Sequence, residues 1–277
     1  MLYRHFPKIA NLKFSILSID LSKPESKNIA DEILKVASSY GVNLYRAGSN
    51  IDHCRFLLDC EKKLNSDSSF YRILDFTGKS TIELEIFLKN TKTDKPDILL
   101  LPINTEEDIE NLLKSKIFTA IEKATEEGRL LGAGFSAPPL PTLLRMSLSS
   151  WSGWTFFSTI FNYLHEDIIP VMLEASSEGI SLLVTKPFEN GELEQAPAKV
   201  HEVFRNAKVP RRHDEWALRG IWEQQEVTSV LSDSNSTFLT EIRCILAEAG
   251  RPNSLPSFEL ETLKTAAREF KALKKNP

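Results

Sequence analysis

The sequence predicts an α/β protein built as a (β/α)8 barrel, one domain over residues 1–277 with an extra C-terminal helix. Three observations predict it. Short apolar runs of strand type alternate with amphipathic helical stretches about eight times, a rhythm that yields a parallel sheet covered by helices. No low-complexity linker breaks that alternation, which favours one closed barrel over an open, doubly wound sheet. The length of 277 residues matches barrels of this kind, which run to ~250 residues.

Each element has its own signal. Residues 12–21 read as a strand, with Leu12, Phe14, Ile16 and Leu17 apolar. Residues 28–39 read as a helix because Ile29, Ile33, Leu34 and Val36 recur at helical spacing, and Gly41 stops it just past its end. A strand over 42–45, a helix over 52–64, a strand over 71–76 and a helix over 81–89 follow. The run DILLLP makes 97–102 a strand. One long helix is predicted over 106–127, closed by Gly128. Residues 129–135 read as strand, and a helix starts over 141–146. In the second half, 155–161, 179–185 and 226–231 read as strands, the middle one apolar enough to be buried on both faces. Helices are expected over 167–177, 214–223, 237–248 and 257–274, with a polar loop ahead of residue 214.

Composition excludes several classes. No apolar run approaches the ~18–20 residues that span a bilayer, so no membrane association is expected. The opening MLYRHFPKIANLKF lacks an uninterrupted apolar core, so no secretory signal is expected either. Three cysteines, Cys54, Cys60 and Cys244, make no disulfide framework and suit a reducing cytoplasm. A net charge of −4 gives no broad electrostatic reason to bind nucleic acid. No Cys/His/Asp/Glu cluster has metal-ligand spacing.

In such a barrel, function sits where strands end and the following loops begin. Those ends are predicted at 46–52, 76–79, 102–105, 136–138, 161–164, 186–192 and 232–236. A His53–Cys54 nucleophilic pair is weak, because adjacent residues on a helix point about 100° apart. Phe156, Phe157 and Phe161, and the tryptophans 151, 154, 216 and 222, read as packing residues.

Five landmarks, in order, carry a family resemblance over nearly the whole chain. They are MLYRHFPKIANLKFSIL, IFTAIEKATEEGRLLGAGFSAPPLPTLL, FNYLHEDIIPVMLEASSEGI, SLLVTKPFENGEL and ALRGIWEQQEVTSVLSD. The chain resembles the aldo-keto reductases. That resemblance implies a (β/α)8 barrel, opened by an N-terminal β-hairpin, which ordinarily binds NADP(H) and reduces aldehydes and ketones. The family's Asp, Tyr, Lys and His would fall on Arg46, Ile51, Phe76 and Pro102, none of which can fill those roles. Asp52 stands beside the Tyr position, and Tyr45 should point away from the barrel interior. Arg46 and Lys79 are expected to be rim charges rather than replacement acids.

The cofactor residues implied by the resemblance are Ser136, Asn162, Lys186 and Ser232. Around them Asn becomes Ala137, the strand-six Gln becomes Ser158, and Gly becomes Asp233. The final Asn is expected at Ile242, and early glycines become Ser18 and Asp20. No Lys or Arg occurs from Gly220 through Ile242, while Lys186, Arg211 and Arg212 could partly compensate. NADP(H) binding is therefore expected to be weak or absent. Three functions follow as expectations. The first is a catalytically degenerate barrel that binds a small-molecule ligand or protein partner at its C-terminal face. The second is an active NADP(H)-dependent oxidoreductase with an unusual proton donor such as Lys79 or Asp52. The third is another enzyme class using Arg46, Asp52 and Asp75.

Overall fold

In the computed structural model, residues 1–9, 12–23, 26–64, 70–91, 95–193, 195–233 and 236–275 are described. The chain begins with an antiparallel hairpin, β1 (Tyr3–His5) and β2 (Lys13–Ser15), with Arg4 opposite Phe14. Eight parallel strands follow. They are β3 (Leu17–Asp20), β4 (Leu44–Gly48), β5 (Tyr71–Asp75), β6 (Asp97–Pro102), β7 (Leu130–Ser136), β8 (Trp154–Ile160), β9 (Ser181–Thr185) and β10 (Val227–Asp233). Each pairs with the next, and β10 returns to β3 with Val230 opposite Leu17 and Asp233 opposite Asp20, which closes the barrel.

The helices between and after the strands are α1 (Lys27–Ser39), α2 (Ile51–Lys63), α3 (Thr81–Thr91), α4 (Glu106–Lys114), α5 (Ile117–Glu126) and α6 (Pro141–Ser149). They continue with α7 (Ile169–Ser177), α8 (Ala198–Arg205), α9 (His213–Trp222), α10 (Thr237–Ala247) and α11 (Ser257–Lys275). Local chemistry starts several of them. Ser26, Asn50, Thr105 and Ser236 each cap a helix by accepting a backbone N–H two or three residues inside it, and Thr105 forms a full capping box with Asp108.

Three expectations need correction. The strand expected over 12–21 splits at Ile16, whose N–H bonds Leu2 and whose carbonyl accepts from Val230, so one apolar run serves both hairpin and barrel. The long helix over 106–127 breaks at Lys116, which sits in the left-handed region at φ 58° and turns the chain between α4 and α5. The polar stretch before residue 214 contains α8, whose buried Val200 and Phe204 are too few to stand out from its charged face. The strand over Asp97–Pro102 agrees as read.

Period-two alternation sorts the strand residues into two apolar layers. Leu44, Ile73, Ile98, Leu100, Phe156, Leu183 and Leu231 point inward and meet Phe6, Ile9 and Phe14, so the hairpin plugs the lower end of the barrel. Their neighbours Tyr45, Leu74, Leu99, Leu101, Phe157, Val184 and Val230 point outward, under the helices. Arg4 fixes the plug by donating to the carbonyls of Trp222, Gln224, Val227 and Gly250. Burial pulls its pKa down to about 10.

Under the helices lies one ion pair. Arg72, 2% exposed on β5, makes two hydrogen bonds of 2.8 and 2.6 Å to Asp97 on β6 and also donates to the carbonyls of Cys54 and Thr91. Removing one member strands a buried charge. Asp97→Ala is expected to destabilise the fold by about 3–5 kcal/mol, read as a lower midpoint in urea unfolding.

Candidate functional site

The inward register turns polar at the upper ends of the strands. Two residues above Leu231, Leu44 and Ile73 stand Asp233, Arg46 and Asp75, and Asp20 follows Ser18 on β3. These four come from the adjacent strands β10, β3, β4 and β5, so they form one continuous wall. Ser136, Ser158, Ile160 and Thr185 face them from β7, β8 and β9. Between the two walls opens a cleft of about 960 Å3. This is the size of a small-molecule site, at the end of the barrel where such sites lie.

Arg46 organises the wall. Its Nε and Nη2 donate to the two oxygens of Asp75 at 3.0 and 2.7 Å, and its Nη1 donates to Asp20 at 2.9 Å. Asp20 also accepts the Ser22 N–H at 2.9 Å. Burial by itself would lower the guanidinium pKa, but the bond to Asp75 and the charges of Asp20 and Asp75 hold it above its ordinary value. Arg46 is thus pinned inside the mouth, where the sequence places a rim charge. Ser158 is fully buried, and its hydroxyl has no partner.

The predicted positions divide. Ser136 and Lys186 line the cleft as expected. Ser232 does not: alternation turns it outward, where Arg243 donates to its hydroxyl at 3.0 Å, and Asp233 faces the cleft instead. Asn162 is buried behind the mouth, donating to Glu189 at 2.8 Å and accepting the Leu164 N–H. Phe76 is buried against Phe87 in the outer layer; the inward position at the end of β5 is Asp75, one residue earlier. Ile51 opens α2 and packs on the outer core rather than lining the cleft. Pro102 ends β6 in the inward register, yet Asn104 is the residue of that loop that lines the cleft. Residues 234–235 lie outside the described residues, and the guanidinium next to Ile242, that of Arg243, reaches back to the Asp233 carbonyl at 2.7 Å.

The remaining candidates stay out of the cleft. Tyr45 is fully buried on the outer side, donating to the Val42 carbonyl. Lys79 is exposed on the loop after β5, and Asp52 is exposed in the first turn of α2. Arg211 pairs with Glu215 and Glu259, and Arg212 with Asp214. His53 and Cys54 are both buried, bonded to the Ala47 and Gly48 carbonyls at the end of β4, and burial pushes the Cys54 thiol up to about 11. Among the described residues no group of three or more His, Cys, Asp or Glu side chains is placed to hold a metal ion, and no helix is long and apolar enough to cross a membrane.

The loop after β9 forms the cleft's far rim. Lys186, Glu189, Asn190 and Gly191 all have positive φ, a costly conformation for the first three. Glu189 is clamped by Asn162 and by His165 Nε2 at 2.6 Å, and the Arg243 guanidinium lies 4.1 Å from the Phe188 ring. Sequence reading grouped Arg46 and Asp75 with Asp52 in one alternative, but missed Asp20, the ion pairs that join Asp20, Arg46 and Asp75, and Arg243. The alternation Ile73 in, Leu74 out would have placed Asp75 inward, and Arg243 stands just past the cation-free stretch.

Arg46→Ala leaves Asp20 and Asp75 facing each other without a cation. It is expected to cost about 2 kcal/mol at neutral pH, below the range for fully buried pairs because the cluster is part-exposed, and to be rescued better by Lys than by Met in thermal melts.

No protein-family model matches the chain, and no curated protein sequence matches it. Solved structures do. An aldo-keto reductase from Bacillus halodurans in its holo form is similar over 96% of this chain and 96% of that chain, with a TM-score of 0.78 at 16% identity. Its apo form gives a TM-score of 0.72 at 17% identity over the same shares of both chains. A provisionally assigned 2,5-diketo-D-gluconic acid reductase B gives 0.72 at 17% identity, covering 96% of this chain and 92% of that one. The closed eight-stranded barrel with its N-terminal hairpin is thus the fold that these aldo-keto reductases share.

Proposed function

We propose that this chain is an aldo-keto-reductase-type barrel that binds a small-molecule ligand in its upper cleft and does not reduce it. One observation carries the reading: Arg46 stands locked by Asp20 and Asp75 where the resemblance puts an acid–base network. Carbonyl reduction needs a proton donor that faces the substrate and has a pKa brought toward neutrality. Among the described residues, no Tyr, His or Cys lines the cleft. Tyr45 and Tyr163 are buried elsewhere, and burial pushes both hydroxyls up rather than down. A guanidinium with a raised pKa cannot deliver a proton.

The residues present also fit a dinucleotide poorly. A pyrophosphate wants cations or converging N–H donors. At the β10 end the cleft offers the Asp233 carboxylate, opposite Asp20 in register, while Arg243 is turned away onto Ser232, the Asp233 carbonyl and Phe188. Lys186 remains on the rim as a single compensating charge on that loop.

NADPH is therefore expected to give no turnover with a broad aldehyde panel and little or no rise in melting temperature, where tight binding at ~100 times its dissociation constant would add ~2.7 kcal/mol. Robust NADPH oxidation would overturn the reading in favour of an active oxidoreductase. Asp233→Gly removes a like charge and admits close backbone approach, so it is expected to tighten NADPH binding several-fold by calorimetry.

A further inference from the structure

The wall across β10, β3, β4 and β5 carries three carboxylates and one guanidinium, so it is acidic despite its salt bridges. Its unused hydrogen-bonding capacity is lopsided as well. A guanidinium has five N–H donors, and Arg46 uses three. Each carboxylate offers about four lone-pair sites. Asp20 uses two, on Arg46 and Ser22, and Asp75 uses two, both on Arg46. The wall therefore has more acceptors than donors left to give. A ligand group that satisfies it must bring N–H or O–H donors, and the excess negative charge selects a cation among these.

The opposite side of the cleft points to an occupant independently. Ser158 is fully buried, lines the cleft, and has a hydroxyl with no partner. An unsatisfied buried hydroxyl costs free energy that a bound ligand would recover. Lys186, on the far-rim loop after β9, lines the cleft, and Lys23 lines it from the loop after β3, so that the lining among the described residues holds three acidic and three basic side chains.

We propose that the cleft binds a small zwitterion, an amino acid with its ammonium group on the Asp20–Asp75 wall and its carboxylate toward Lys186. The inference rests on the reading of the barrel as a ligand-binding protein and names the ligand's chemistry. The ammonium is charge-matched to the wall and supplies the donors that it lacks, while the carboxylate uses the Lys186 ammonium. A neutral polyol would satisfy the hydrogen bonds without the charge, and a simple carboxylate would face the acidic wall unmatched.

The test is calorimetry on the full chain with glycine, γ-aminobutyrate and ε-aminocaproate, beside caproate, hexylamine, sorbitol and NADPH. At least one of the three amino acids is expected to bind about tenfold more tightly than any of the other four probes. Asp75→Asn is expected to weaken that binding about tenfold. Ser158→Ala is expected to weaken it several-fold while leaving the melting temperature of the free protein unchanged or higher, since the hydroxyl has no partner to lose. Should Asp75→Asn fail to fold, Ser158→Ala still decides. Tighter binding of sorbitol, caproate, hexylamine or NADPH, or no binding of any amino acid, overturns the proposal, as does full affinity in Ser158→Ala. Carbonyl reduction is read in a separate assay. An inert protein that ignores amino acids overturns only this inference, and a reductase that binds them overturns only the proposed function.

Discussion

Closure of β10 onto β3 is the constraint on which the rest of the structure depends. The pairing of Val230 with Leu17 and of Asp233 with Asp20 sets the register of the whole ring. It divides every strand into an inward and an outward face, and a shift of one residue would exchange them. With the ring closed, Phe6, Ile9 and Phe14 from the hairpin meet the inward residues of six strands, and the lower barrel is sealed by apolar packing that the Arg4 hydrogen bonds hold in place. The same register leaves the upper inward positions without apolar partners. Polar side chains can occupy them because water and ligands reach that end.

Placing charges there has a cost that the arrangement offsets. Taking ions part-way out of water is unfavourable unless they are paired with good geometry. Arg46 meets Asp75 with two parallel hydrogen bonds and Asp20 with a third, the planar fork that guanidinium chemistry favours. The same fork ties the upper ends of three neighbouring strands together. It fixes the wall before any ligand arrives, which lowers the ordering cost of binding. It also keeps the Arg46 guanidinium charged and engaged with its two carboxylates.

The loop after β9 shows the same coupling between strain and site. Three non-glycine residues with positive φ persist there because Glu189 is held by Asn162 and His165, and Phe188 lies under Arg243. Asn162 and Arg243 thus shape the rim without lining the cleft. Their identities matter through the loop that they hold.

The sequence by itself determined the barrel, because alternation and helix stops are local signals written in each segment. Gly41 and Gly128 end helices at φ 85° and 70°, and Asp97–Pro102 is a strand by its apolar run alone. It also placed Ser136 and Lys186 at the mouth, since both follow directly from where strands end. Other features needed tertiary structure. One apolar run, residues 12–21, became two strands only because Ile16 bonds both the hairpin and β10. Phe76 and Ser232 carried the site by family position, but inward and outward faces depend on register, and register is settled between strands, which exchanged them for Asp75 and Asp233. Asp20, Arg46 and Asp75 lie 26 and 29 residues apart in the chain. Nothing local to any of them specifies that they meet; the closed ring, by setting three strand ends side by side at hydrogen-bond distance, decides it.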